Sequence, residues 1–261
     1  MYSFDTIYSV EFEGANTDMY RFQSRIRYSE TDSEGRLTLE AMLDYFQDCS
    51  TFHSEDLGVG LQYLKERNLV WVLSSWQIVV DRYPGLCEHV TIGTFPYDFK
   101  GCFGYRNFFM KDENGEYAAR ANTLWTLLDS RSFGPAHPTE EMLEKYVLKE
   151  KLPMPYAGRK ITVPGYGEQR DSIMVMPWHL DVNNHVNNGQ YVRMALGVLP
   201  EKFPIAQMRA EYKKQAYLED VLHPYVVNVK GENGQDIWVV SLQDADGAIY
   251  VNVEFEGFLR H

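Results

Sequence analysis

The densest run of side chains able to do chemistry lies at 181–191. There Asp181, Asn183, Asn184, His185, Asn187, Asn188 and Tyr191 are separated only by two valines, a glycine and a glutamine. An aspartate and a histidine four positions apart can share general acid–base work on a water. Asn183 can hold that water, or a carboxylate, through its amide. The segment falls between a strand expected at 171–178 and a helix expected to start near Asn187 and Asn188. That helix should run through Tyr191, Ala195 and Val198 to Pro200. A strand-to-helix junction offers unpaired N–H groups and the positive end of a helix dipole, which suits a developing oxyanion. An Asn-rich turn with an N-cap accounts for Asn187 by itself. It does not account for Asp181, Asn183 and His185 together, because one cap needs one side chain.

Other chemistries fit this segment poorly. A calcium loop starting at Asp181 needs glycine sixth and glutamate twelfth, and Val186 and Val192 stand there. A zinc site from His179, Asp181 and His185 matches no common ligand spacing. No metal and no cofactor is expected. Gly58-Val59-Gly60 lacks the third glycine and preceding strand of a dinucleotide fingerprint, and neither a phosphate-binding loop nor a GxSxG elbow occurs. His53, His89, His137 and His223 stand alone in the sequence and are read as structural or surface residues. Cys49, Cys87 and Cys102 are scattered and odd in number, so they are read as reduced, packed thiols.

The 261 residues suffice for one large domain or two ordinary ones, and 44% hydrophobic residues supply a sizeable core. A net charge of -12 disfavours nucleic acid as a partner. It also means that an acidic partner would need a local basic patch, for which Arg193, Lys202, Arg209, Lys213 and Lys214 are the candidates. No apolar run is long enough to span a membrane. Residues 1–14 mix Asp5, Glu11 and Glu13 with apolar residues, unlike a signal or transit peptide, so a cytoplasmic location is expected.

The elements that must position the motif occur twice. Each half opens with a strand (21–28 and 171–178), then a polar loop with an aspartate (Asp32 or Asp181), then a helix. The first helix carries Leu39, Met42, Leu43 and Phe46 at helical spacing, with Gly58 as a stop. Strand–turn–strand patterns follow around Asn114-Gly115 and Asp246-Gly247, dipeptides that supply the positive φ of tight hairpins. A shift of 132 residues places Gly115 on Gly247 and Trp76-Gln77-Ile78 on Met208-Arg209-Ala210, whereas the loop aspartates differ by 149. The first half therefore has the longer connection, between Phe46 and Trp76. A helix and an antiparallel meander, twice over, predict the α+β class with two sheets, each wrapped around a helix. The boundaries read as 1–147, a charged and proline-containing linker at 148–160, and 161–261. In the first half Glu34 and Arg36 stand where Asn183 and His185 stand in the second. Arginine stays protonated and cannot act as a base, so Asp32 is expected to cap its loop rather than react.

With these residues in view, the sequence resembles the acyl-ACP thioesterases of plant plastids and their bacterial relatives, over nearly the whole chain. Asp181, Asn183, His185, Asn187 and Asn188 match that family's Asp-x-Asn-x-His-x-Asn-Asn motif, and Tyr191 continues it. Trp125, after Ala119-Arg120-Ala121, resembles the family's tryptophan-bearing strand. The resemblance implies tandem hot-dog domains, with catalysis in the C-terminal one. It implies hydrolysis of a fatty acyl thioester on the phosphopantetheine of acyl carrier protein, in fatty acid biosynthesis. Asp181 and His185 would form the acid–base pair, Asn183 would orient water or substrate, and the backbone N–H groups near Asn188 and Gly189 would receive the oxyanion. The family's Tyr-Arg-Arg-Glu-Cys strand reads Tyr212-Lys213-Lys214-Gln215-Ala216 here. Gln215 can position a water but cannot accept its proton. Glu211, four residues away on a strand, is about 13 Å distant. Chain-length preference is implied to lie in the N-terminal half, where Met42, Phe46 and Trp76 would line an apolar channel. An acyl-CoA thioesterase of the same fold and a non-catalytic acyl-binding module are the alternatives, the latter suggested by Gln215. A hot-dog dehydratase has no motif to support it beyond a shared fold. Pairing of two chains as a homodimer is compatible with the sequence.

Overall fold

The computed structural model describes residues 19–165, 167–199 and 203–259. The readings made on residues 1–14, Pro200 and Lys202 fall outside them.

The first half contains β1 (Tyr20–Arg25), α1 (Leu39–Asp56), α2 (Leu61–Glu66), β2 (Leu69–Val80), β3 (His89–Lys100), β4 (Phe103–Lys111), β5 (Tyr117–Asp129) and α3 (Glu140–Lys145). The second contains β6 (Glu168–Gln169), β7 (Ile173–Met174), α4 (Asn188–Gly197), β8 (Ile205–Tyr212), β9 (Val221–Lys230), β10 (Asp236–Gln243) and β11 (Ile249–Gly257).

Helix α1 starts where the Thr38 hydroxyl accepts the Ala41 N–H, and it ends just before Gly58, whose φ of 69° only glycine adopts without strain. Its apolar stripe, Leu39, Met42, Leu43, Phe46 and Cys49, is fully buried. Both expected opening strands are shorter than their apolar patterns suggested. After β1 and β7 the chain turns through single 3₁₀ turns, Tyr28–Glu30 and Pro177–His179. In the second case Pro177 removes a ladder donor, which ends the strand. In the two hairpins only Gly115 and Gly247 take positive φ, 81° and 83°. Asp112 accepts the N–H groups of Asn114 and Glu116, and Asp244 those of Asp246 and Ala248. Each hairpin absorbs its extra residue as a bulge, at Met110/Lys111 and at Leu242/Gln243.

The two expected sheets are one. Its strand order is β1-β3-β4-β5-β2-β8-β11-β10-β9-β6, and the halves join where β2 pairs antiparallel with β8. Gln77 faces Arg209, Trp76 faces Ala210 and Ile78 faces Met208. Gln77 thus pairs with its own image under the 132-residue shift, and Trp76 and Ile78 each pair with the other's image, so a local pseudo-twofold passes between Gln77 and Arg209. Both of these side chains hold the connecting segment against the outer face of the sheet. Gln77 donates to the Pro155 carbonyl at 2.7 Å and accepts the Ala157 N–H at 3.0 Å. Arg209 donates to the carbonyls of Gly158 and Lys160 at 2.7 and 2.9 Å. A backbone without a ladder of its own has its polar groups satisfied in this way.

The repeat also shows where the halves differ. The offset is 149 before the helix and 132 after it, so 17 residues are extra in the first half. They are the second half of α1, which has 18 residues against 10 in α4, together with α2. Val59, Tyr63 and Leu64 of this addition bury against Leu127, Met142 and Tyr146 in a core of their own. A single larger core, containing Met42, Phe46, Tyr191, Met208 and Phe255, runs under both α1 and α4.

Candidate active site

The motif forms a tight loop closed by its own backbone. Asp181 N–H donates to the His185 carbonyl at 2.8 Å, and Asn184 N–H to the Asp181 carbonyl at 3.0 Å. The carboxylate oxygen Oδ1 of Asp181 accepts the Asn183 N–H at 2.8 Å and, more weakly, the His185 N–H at 3.4 Å. Asn184 sits at φ 60°, a conformation asparagine tolerates better than most residues. Asp181 and His185 are therefore joined through the backbone, with no carboxylate–imidazole hydrogen bond. Oδ2 of Asp181 has no hydrogen-bond partner among the described residues.

The first half repeats this loop bond for bond. Asp32 Oδ1 accepts the N–H groups of Glu34 and Arg36 at 2.9 and 3.0 Å, Asp32 N–H donates to the Arg36 carbonyl at 2.8 Å, and Gly35 takes φ 74°. The side chains there differ: Glu34 and Arg36 pair with each other at 3.1 Å on the surface.

Past the loop, Asn187 caps α4, its Oδ1 accepting the Gly189 N–H at 2.8 Å. Of the two expected oxyanion donors, Gly189 thus has its N–H engaged, while that of Asn188 has no protein acceptor among the described residues. Gly189 lets α4 pack closely on α1. A Cβ there would meet Leu43 Cδ2 of α1 at 3.0 Å. Arg193 of α4 reaches Asp44 of α1 at 3.2 Å, a further tie between the helices.

Strand β8 ends at Tyr212, and the chain beyond it runs beside the motif. The Ala216 carbonyl accepts the Val186 N–H at 3.0 Å, and Ala216 N–H donates to the buried Tyr191 hydroxyl at 2.7 Å. This places half-buried Gln215 next to the His185 loop. The half-buried His185 ring meets Tyr217 edge-on at 5.0 Å between centroids. Glu211 does not approach the site. It accepts the Ile161 N–H at 3.1 Å on the linker side of the sheet, where it also meets Lys213 at 3.6 Å. Tyr212 donates to the Asn188 carbonyl at 2.9 Å, fixing the first turn of α4 from behind. Of these supports Tyr191 carried a sequence signal, as the continuation of the motif, and Tyr212 another, as the start of the family's later strand; Tyr217 and Asp44 carried none.

Met42, Phe46 and Trp76 are fully buried on the sheet-facing side of α1. Phe46, Trp76 and Phe108 form an aromatic group with centroids 5.1–6.3 Å apart, and the buried Trp76 Nε1 has no hydrogen-bond partner among the described residues. The basic patch expected in the second half is not a free patch. Arg193, Arg209, Lys213 and Lys214 each pair with a carboxylate, from Asp44, Glu254, Glu211 and Asp244 respectively. Among the described residues no three His, Cys, Asp or Glu side chains converge as a metal would require, and His179 Nδ1 is taken by the Met176 N–H at 3.0 Å. Nor is any described helix long and apolar enough to cross a membrane.

Solved structures share this architecture. An acyl-ACP thioesterase from Bacteroides thetaiotaomicron superposes with a TM-score of 0.81 over 90% of this chain and 96% of its own, at 23% identity. A 12:0-ACP thioesterase from Umbellularia californica gives 0.81 over 91% and 93%, at 20% identity. Both establish the tandem hot-dog fold. In sequence, the palmitoyl-acyl carrier protein thioesterase of Arabidopsis thaliana, described as chloroplastic, is 24% identical over 78% of this chain and 54% of its own length. An acyl-[acyl-carrier-protein] hydrolase of Cuphea viscosissima, also chloroplastic, is 25% identical over 82% and 55%. The chain spans about half the length of these relatives. The sequence model of the acyl-ACP thioesterase N-terminal domain matches residues 17–146, and that of the C-terminal domain matches 167–256. With both matches in the family's order on the family's fold, the chain belongs to the acyl-ACP thioesterases.

Proposed function

We propose that the protein hydrolyses fatty acyl thioesters carried on acyl carrier protein, releasing free fatty acid and free carrier in fatty acid biosynthesis. One observation carries the reading. Two loops of identical backbone lead into the two helices, and only the second bears an imidazole and an amide beside the unpaired N–H of a helix start. His185 takes a proton from water as it adds to the thioester carbonyl, and returns it to the departing thiolate. Asp181 holds the loop with one oxygen and keeps the other for the water or for direct attack. Asn183 and Gln215 orient the water, and the Asn188 N–H receives the oxyanion. Gly189 N–H joins it only by exchanging its bond to Asn187.

Residues 161–261 carry the chemistry in this reading, residues 1–147 hold the acyl chain, and 148–160 join them. Met42, Phe46 and Trp76 line the channel. Each methylene buried there stabilises binding by about 0.8 kcal/mol. A reducing compartment, the cytoplasm, agrees with Cys49, Cys87 and Cys102 being free thiols. Gln215 supports a second reading, a module that binds acyl chains without cleaving them. The test is hydrolysis of an acyl-length series on acyl carrier protein and on CoA. Turnover of carrier thioesters, lost in His185→Ala, supports the proposal. Binding without turnover selects the second reading, and preference for CoA selects the related acyl-CoA activity.

A further inference from the structure

A buried positive charge in the first half has no counter-ion among the described residues. Arg106 on β4 is 8% exposed, and among the described residues no carboxylate stands against it. Its Nη1 donates to His53 Nδ1 at 2.9 Å and to Thr94 Oγ1 at 3.2 Å, and its guanidinium carbon lies 5.5 Å from the Tyr146 ring centre. Every one of these neighbours is neutral. Burial and the adjacent guanidinium push the His53 imidazole down to about 3, and burial pushes the Cys49 thiol up to about 12. A guanidinium removed from water without a paired anion is costly.

The fold does not require this charge, because the internal repeat supplies a control. The 132-residue shift carries Arg106 to Trp238, Thr94 to Val226 and Thr123 to Phe255, so the second half builds the same positions from apolar side chains. Cys49 and His53 belong to the part of α1 that has no counterpart in α4. The extra residues of the first half therefore cover a polar cluster that the second half lacks. Arg106 shares a face of β4 with Phe108, two residues on, and Phe108 packs against Trp76 and Phe46. The polar cluster thus continues from the residues assigned to the acyl channel.

We propose that Arg106, Thr94, His53 and Tyr146 form the far end of that channel and bind the distal carboxylate of an acyl chain that is acidic at both ends. This rests on the channel lying in the first half. The guanidinium fork matches a carboxylate in two parallel hydrogen bonds and supplies the missing opposite charge. His53, accepting at Nδ1, carries its proton on Nε2 and offers a further donor.

The experiment is calorimetric titration at neutral pH with saturated straight-chain dicarboxylic acids and monocarboxylic acids of equal carbon number, over a length series. Wild type, Arg106→Met and Arg106→Lys are compared, with folding checked by thermal melting. At its optimal length the dicarboxylic acid should bind wild type at least about tenfold tighter than its monocarboxylic partner. Arg106→Met should abolish that preference, and Arg106→Lys should retain part of it. The wild-type comparison stands even if Arg106→Met does not fold. Equal or weaker binding of the diacid at every length, no binding of either acid, or a preference that survives Arg106→Met overturns the proposal. So does Arg106-dependent binding of acetate with no gain from added methylenes, which would mark an anion site fed from solvent. Binding is read without turnover. A diacid preference in a protein that cleaves no carrier thioester would therefore contradict the hydrolase reading alone.

Discussion

In the first half Asp32 gathers the N–H groups of Glu34 and Arg36; in the second Asp181 gathers those of Asn183 and His185. Both loops end in a capped helix, with Thr38 accepting from Ala41 and Asn187 from Gly189. The shared bonds show that the aspartate is first a structural device, needed wherever this turn is made. What separates the loops is the side chains the turn holds out. Glu34 and Arg36 neutralise each other, while Asn183 and His185 face no ionic partner. A duplicated scaffold thus separates the side chains that differ from the bonds that the turn itself requires.

The sharpest way to break this comparison is to remove the imidazole. His185→Ala should lower turnover on a carrier thioester by at least about a hundredfold, the usual range for losing a general base. Arg36→Ala should leave turnover nearly unchanged. Stopped-flow hydrolysis of both variants checks this, and near-normal turnover in folded His185→Ala would remove His185 from the mechanism.

A second difference concerns acid stability. His53 has no counterpart in the shorter α4, and its folded-state value is lowered from 6.5 to about 3. Between those values the unfolded chain binds the extra proton, so this contribution is complete above pH 6.5 and is lost as pH falls toward 3. By pH 5 the loss amounts to about 2 kcal/mol. Denaturant unfolding of wild type and His53→Gln at pH 7 and pH 5 should show the wild type losing more stability by that amount. Equal losses would mean that His53 is protonated in the folded protein.

The helix caps should matter less and should be alike. Asn187→Ala should cost about 1 kcal/mol of stability, as should Thr38→Ala. Chemical denaturation measures both. Only the Asn187 change should also alter turnover, because it frees the Gly189 N–H beside the oxyanion position.

The repeat, the helix starts, the hairpin glycines and the motif were legible in the sequence because each rests on local chemistry. Periodicity, capping residues and glycine's positive φ act within a few residues. Fusion of the sheets through β2 and β8 was not legible, since the pairing of Gln77 with Arg209 joins residues far apart in the chain. Glu211 shared a strand with the motif's downstream segment, yet only the path of the linker showed that it holds Ile161. The pairing of the candidate basic residues was hidden for a similar reason. A sequence displays Lys213 and Lys214 but not the carboxylates that meet them. His53 looked isolated because Arg106, its partner, is distant in sequence and close only across the α1–β4 packing.

One backbone carries two loops, and only the second presents an imidazole and an amide. The most direct measurement is turnover of one acyl carrier protein thioester by Asp32→Ala and Asp181→Ala, with melting temperatures recorded in parallel. Both variants lose the same loop bonds and should lose similar stability, on the order of 1 kcal/mol. Turnover should fall at least about a hundredfold in Asp181→Ala and stay within about a few-fold of wild type in Asp32→Ala. Equal losses of turnover in two folded variants would contradict this, showing either that the first loop also reacts or that both aspartates act only by holding the fold.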